Sequence, residues 1–151
     1  MSPSPTRAPR VTESVGFRLS RLARALRAQW RDQLADLGVE PPEAAALRVV
    51  AAQPGAALRQ LARILASDPM STKRCVDALE ARGLVASTRQ GEGRSRALRV
   101  TPAGADLVGE IERRAADREG SVVATLGPAA TAQLRAALDQ LEASLVPPTK
   151  G

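Results

Sequence analysis

The apolar positions of this chain form stripes at helical spacing, interrupted once by a short stretch with strand character. From about Thr12 to Leu37, the residues Val15, Leu19, Leu22, Leu26, Trp30, Leu34 and Leu37 recur at intervals of three and four. That spacing predicts one long amphipathic helix, stopped by Gly38. Pro41 and Pro42 open a second helix carrying Ala44, Leu47, Val50 and Ala51, which ends before Gln53-Pro54-Gly55. A short third helix presents Leu58, Leu61, Ala62 and Leu65 on one face. Asp68 is a good N-cap and Pro69 a good first helical residue, so a fourth helix is predicted from there to Arg82, closed by Gly83. Its buried stripe is expected at Thr72, Cys75, Val76 and Leu79.

After Gly83 the period changes. Leu84 to Gln90 and Arg96 to Thr101 read as strands joined by Gly91-Glu92-Gly93-Arg94-Ser95, a glycine-bearing connection that predicts a hairpin. Thr101-Pro102 repeats the cap-plus-proline signal and starts a long helix to about Leu126. Gly127-Pro128 breaks it, and a last helix carries Leu134, Leu138, Leu141 and Leu145 on one stripe. No internal repeat is visible. The predicted fold is mainly α with a minor β element: a winged helix-turn-helix core over about 40–101. Helices over about 12–37 and 102–146 flank it within a single domain spanning 12–146. Residues 1–11 and 147–151 read as tails without fixed structure, the first Pro-rich and basic.

Composition sharpens this picture. Lys and Arg number 22 against 16 Asp and Glu in 151 residues, a formal charge of +6, which favours a polyanionic partner. There is no apolar run of transmembrane length and no secretory signal, so neither a membrane nor export is expected, and the expected location is the cytoplasm. Cys75 is the only cysteine and histidine is absent. A zinc site, an intrachain disulfide, or a Ser-His or Cys-His catalytic pair therefore has no residues to be built from. No enzyme activity, metal or cofactor is expected.

The order of elements points instead to double-stranded DNA. In a helix-turn-helix the second helix enters the major groove, and here the face opposite the buried stripe carries Met70, Ser71, Lys73, Arg74 and Asp77. Arg and Lys suit the O6 and N7 acceptors of guanine. The hairpin adds Arg89, Arg94, Arg96 and Arg99 against one acid, Glu92, a strip suited to phosphates, with Arg94 at its tip. Because Asp68, Asp77 and Glu80 offset Lys73, Arg74 and Arg82, a second reading stays open: a winged-helix protein-interaction module that has lost specific DNA binding.

These residues resemble the MarR family of bacterial transcription regulators. The stretch Val76-Asp77-Ala78-Leu79-Glu80-Ala81-Arg82-Gly83-Leu84-Val85 is similar to the one that ends the family's recognition helix. Val100-Thr101-Pro102-Ala103-Gly104 is similar to the one that opens its long post-wing helix, and Leu37-Gly38-Val39-Glu40-Pro41-Pro42 to the lead into its second helix. The likeness covers roughly Val15 to Leu145. It implies a homodimer with interleaved terminal helices, a palindromic operator, repression, and release by a small aromatic or phenolic effector. Phe17 and Trp30, with Arg18 and Arg27 as anion partners, are the candidates for that effector's pocket. The sequence departs from the family pattern at Gly93, where an Asp usually precedes the tip Arg, and at Ala57, which cannot cap the third helix. Cys75, on the expected buried stripe, reads as a small hydrophobe rather than a redox sensor.

Overall fold

The computed structural model describes residues 10–89 and 96–145. The chain divides into two compact units, Met1–Pro41 and Pro42–Gly151. The expected tails lie outside the described residues, apart from Arg10 and Val11.

In the first unit, a 3-10 turn at Val11–Glu13 precedes helix α1, Val15–Leu34. The predicted helix began at Thr12. It starts later because Ser14 adopts extended backbone and its Oγ accepts a hydrogen bond from the Phe17 N–H at 3.4 Å, satisfying a donor that the first turn otherwise leaves open. A second 3-10 turn, Ala35–Leu37, ends at Gly38, whose φ of 64° is the left-handed conformation that glycine tolerates. Trp30 and Leu34 are buried, whereas Val15, Leu19, Leu22 and Leu26 are exposed.

The second unit holds α2 (Pro41–Ala52, whose first residue, Pro41, ends the first unit), α3 (Leu58–Ile64), α4 (Pro69–Ala81), β1 (Val85–Arg89), β2 (Arg96–Val100), α5 (Pro102–Leu126) and α6 (Pro128–Leu145). Its core gathers Ala44, Leu47 and Val50 of α2, Leu61 of α3, Val76 and Leu79 of α4, Val85 and Leu98 of the hairpin, and Ile111 of α5. β1 and β2 pair antiparallel in the register Val85↔Val100 through Arg89↔Arg96.

The far edge of β2 is also used. Gly55 N–H donates to the Leu98 carbonyl at 2.8 Å, Leu98 N–H donates to the Ala56 carbonyl at 3.0 Å, and Ala57 bridges Ala97. This accounts for α3 starting at a residue that cannot cap. No side chain caps α3, but the extended backbone of Ala57 is fixed by the strand beside it. Two ion pairs tie α2 to its neighbours: Arg48 to Glu112 of α5, bidentate at 2.6 and 3.1 Å, and Arg82 to Glu43 at 3.5 Å. No helix among the described residues is long and apolar enough to cross a membrane.

Candidate nucleic-acid interface

Helix α4 begins as its sequence predicts. Asp68 has extended backbone and its Oδ1 accepts from the Ser71 N–H at 2.8 Å, with Pro69 in the first turn. Hydrogen bonding from the Ser71 side chain, and secondarily from its N–H, holds the Asp68 carboxyl below its ordinary value. The helix ends in a Schellman turn: Leu84 N–H donates to the Leu79 carbonyl at 2.9 Å, Gly83 N–H to the Glu80 carbonyl at 2.9 Å, and Gly83 takes φ 67°.

Between these ends α4 is two-faced. Thr72, Val76 and Leu79 are buried. Met70, Lys73, Arg74 and Asp77 follow the same i, i+3, i+4, i+7 spacing on the other side, with Met70 65% exposed. Ser71 is half-buried beside the cap. Cys75 departs from its expected place: it is half-buried rather than in the core, since it lies at the margin of the buried stripe. Burial, and secondarily the Glu43 carboxylate, push its thiol up to about 11. It therefore stays protonated at neutral pH, which fits the expectation of an unreactive group.

The turn leading into α4 carries backbone strain. Ala66 has φ 47°, a left-handed conformation unfavourable for a residue with a Cβ. It is held there by a second Schellman turn, in which Ala66 N–H donates to the Arg63 carbonyl at 3.1 Å and Ser67 N–H to the Ala62 carbonyl at 3.0 Å.

The hairpin is anchored at its root. Thr101 donates through its hydroxyl to the Gly83 carbonyl at 2.6 Å and through its N–H to the Leu84 carbonyl at 3.1 Å, and its Oγ1 accepts from the Gly104 N–H at 3.0 Å. Gly104 is required by close approach: a Cβ there would lie 2.0 Å from the Leu84 carbonyl oxygen. One threonine and one glycine thus join the end of α4, the base of the wing and the start of α5. The composition signals of Thr101-Pro102 reveal the cap, but nothing local in the sequence announces the Gly104 contact.

The charges around this face are unevenly placed. Lys73 Nζ sits 2.5 Å from Asp77 Oδ2. Arg96 of β2 reaches back to α4, 3.8 Å from Asp77 and 3.5 Å from Glu80. Arg96 therefore belongs to the contact between wing and helix as well as to the basic strip. Arg89 stands opposite Arg96 in the ladder, a like-charge pairing that favours a nearby anion. Arg74 and Arg89 are exposed and make no ion pair among the described residues. Arg99 is exposed on β2 and its guanidinium lies toward Gly55, on the side of the loop before α3. Arg94, with Glu92 and Gly93, lies outside the described residues.

The candidate effector residues do not converge within one chain. Phe17 and Arg18 lie at the start of α1 and Arg27 and Trp30 toward its end. At 1.5 Å per residue, Phe17 and Trp30 are about 20 Å apart along the axis. Trp30 is buried, Phe17 half-buried, and both arginines are exposed. Among the described residues no group of three Cys, Asp or Glu side chains is gathered to hold a metal ion.

Residues 14–149 match the model of a helix-turn-helix family. No curated protein matches the chain in sequence. Several solved structures are similar throughout. The MarR family protein Rv2887 of Mycobacterium tuberculosis, in complex with salicylic acid, is 27% identical, with 90% of this chain and 98% of that one covered and a TM-score of 0.67. CouR from Rhodococcus jostii RHA1, bound to p-coumaroyl-CoA, is 24% identical over 95% and 100% of the two chains, with a TM-score of 0.79. A MarR family transcriptional regulator from Listeria monocytogenes, complexed with 26mer DNA, is 20% identical over 85% and 87%, also at 0.79. The chain belongs to this helix-turn-helix family, and its fold is that of the MarR family transcriptional regulators.

Proposed function

We propose that this chain is a sequence-specific DNA-binding transcriptional regulator that binds a palindromic operator as a homodimer. The observation that carries the reading is the outer face of α4. Met70, Lys73, Arg74 and Asp77 line one side of a helix whose other side is locked into the core, the arrangement a recognition helix needs to present side chains to base edges. In this reading Ser71 and Arg74 are the residues that contact base edges. Arg89, Arg94 and Arg96 of the wing serve the phosphates.

The dimer reading is supported by apolar stripes that stay substantially exposed. Leu134, Leu138, Leu141 and Leu145 of α6, and Val15, Leu19, Leu22 and Leu26 of α1, are all exposed in the single chain. Uncovered apolar surface of that kind marks an interface. A second copy brings two α4 helices to the DNA with half-sites about 34–36 Å apart.

The regulator acts as a repressor that occludes its promoter, and an aromatic or phenolic small molecule releases it. Salicylic acid and p-coumaroyl-CoA occupy two proteins of the same fold. Arg27 and Trp30 share one end of α1 and form the better half of the expected pocket; Phe17 and Arg18 complete it only if another chain or element brings them near. Selection from a random duplex library tests the central reading. Enrichment of an inverted repeat with half-sites one turn apart is the expected outcome, and recovery of no shared sequence contradicts it.

A further inference from the structure

The outer face of α4 holds a cation that is already occupied. Lys73 Nζ lies 2.5 Å from Asp77 Oδ2, with both side chains about half exposed. The order of the pair runs against the helix dipole: the lysine is nearer the N-terminus and the aspartate nearer the C-terminus, the weaker orientation for an i, i+4 ion pair. Helix stability alone is therefore a poor reason for it. Asp77 also faces Arg96 at 3.8 Å, and Glu80 faces the same guanidinium at 3.5 Å. Two carboxylates thus balance two cations between recognition helix and wing, and Arg74 and Arg89 remain without a carboxylate partner among the described residues.

This matters because a free lysine binds phosphate wherever the backbone runs, whatever the base sequence. We propose that Asp77 is a specificity-determining residue of the DNA-binding face, which acts by withholding Lys73 from the phosphate backbone and so weakens binding to arbitrary DNA. The inference rests on the DNA-binding reading above. Asp77 is a positioning residue in it: it works through Lys73 at one carboxylate oxygen, while Arg96 faces the other. A non-specific encounter gains less from Lys73 while the pair holds.

The test compares wild type, Asp77→Asn, Lys73→Gln and the double variant by fluorescence anisotropy on the duplex recovered by selection and on a scrambled duplex, across a salt series. Asp77→Asn is expected to bind the scrambled duplex several-fold more tightly. Its log K against log salt slope should steepen by about 0.9, the release of counterion for one more phosphate. The selected duplex gains less, so the ratio of specific to non-specific binding falls. Adding Lys73→Gln to Asp77→Asn should cancel the gain, because the cation released by the first change is then absent.

An unchanged slope and scrambled affinity in Asp77→Asn overturns the inference. So does a gain that survives Lys73→Gln, which would be a general charge effect. Lost preference at one base pair with scrambled binding unchanged also overturns it, because Asp77 would then touch a base. A merely structural role would lower the thermal midpoint and weaken both duplexes without steepening the slope. Wild type that binds neither duplex sinks the DNA reading and this inference together, whereas a selective wild type with an unaltered Asp77→Asn sinks the inference alone.

Discussion

The same apolar periodicity has opposite fates in two parts of this chain. In the winged-helix core, Leu47, Leu61, Leu79 and Leu98 are 0% exposed, whereas along α1 and α6 Leu22 is 53% and Leu145 75% exposed. Both sets follow helical or strand spacing, and both were equally visible in the sequence. The core elements cover one another through short connections, a hairpin and a capped helix, so each stripe finds its partner within the chain. The stripes of α1 and α6 have more leucine than their own chain buries. Periodicity therefore reports that a face seeks cover, and only the packing reports whether the chain itself supplies it.

Breaking the core side of this contrast has the largest expected effect. Leu79→Ala removes a fully buried side chain near the C-terminal end of α4 and should cost about 2–5 kcal/mol in chemical denaturation. Gly104→Ala drives a Cβ to 2.0 Å from the Leu84 carbonyl oxygen. Overpacking of this sort costs about 1–3 kcal/mol, and the thermal midpoint should fall even though alanine is the better helix former. On the other side, Leu138→Asp places a charge on the α6 stripe at a residue that is 38% exposed and outside the buried core. Sedimentation should show the dimer weakened by on the order of tenfold or more, about 1.4 kcal/mol, with the protomer still folded.

Two smaller changes sharpen the account of the face itself. Ala66→Gly relieves the left-handed backbone before α4 and should raise stability by up to about 1 kcal/mol, read from the denaturation midpoint. Cys75 has its thiol raised from 9.0 to about 11 by burial and by Glu43. Alkylation of the native protein should therefore be slow at neutral pH and accelerate only toward pH 11. The stability this neutral thiol contributes is fully present below about pH 9 and lost as pH rises through 11. Rapid alkylation at neutral pH would contradict the half-buried placement.

Much of the fold was legible because its punctuation is chemical. Asp68-Pro69, Thr101-Pro102, Gly38 and Gly83 each mark a helix end, and each does so in the structure. Ser14 also marks a helix start, inside the span that the apolar stripe predicts for α1. The face of α4 was legible from its two interleaved stripes. What the sequence did not disclose was tertiary. Arg96 turning back to Asp77 and Glu80 depends on the hairpin's register, and the bridge that fixes Ala57 depends on the free edge of β2. The separation of Phe17 from Trp30 follows from counting along α1.

The most direct test of the central claim is an anisotropy titration of the purified protein against the DNA upstream of its own gene and against a shuffled duplex, at several salt concentrations. Tighter binding to the upstream DNA, with a slope that reflects several neutralised phosphates, is the predicted result. Equal, weak and salt-insensitive binding to both duplexes would contradict it and favour a winged helix that docks a protein partner.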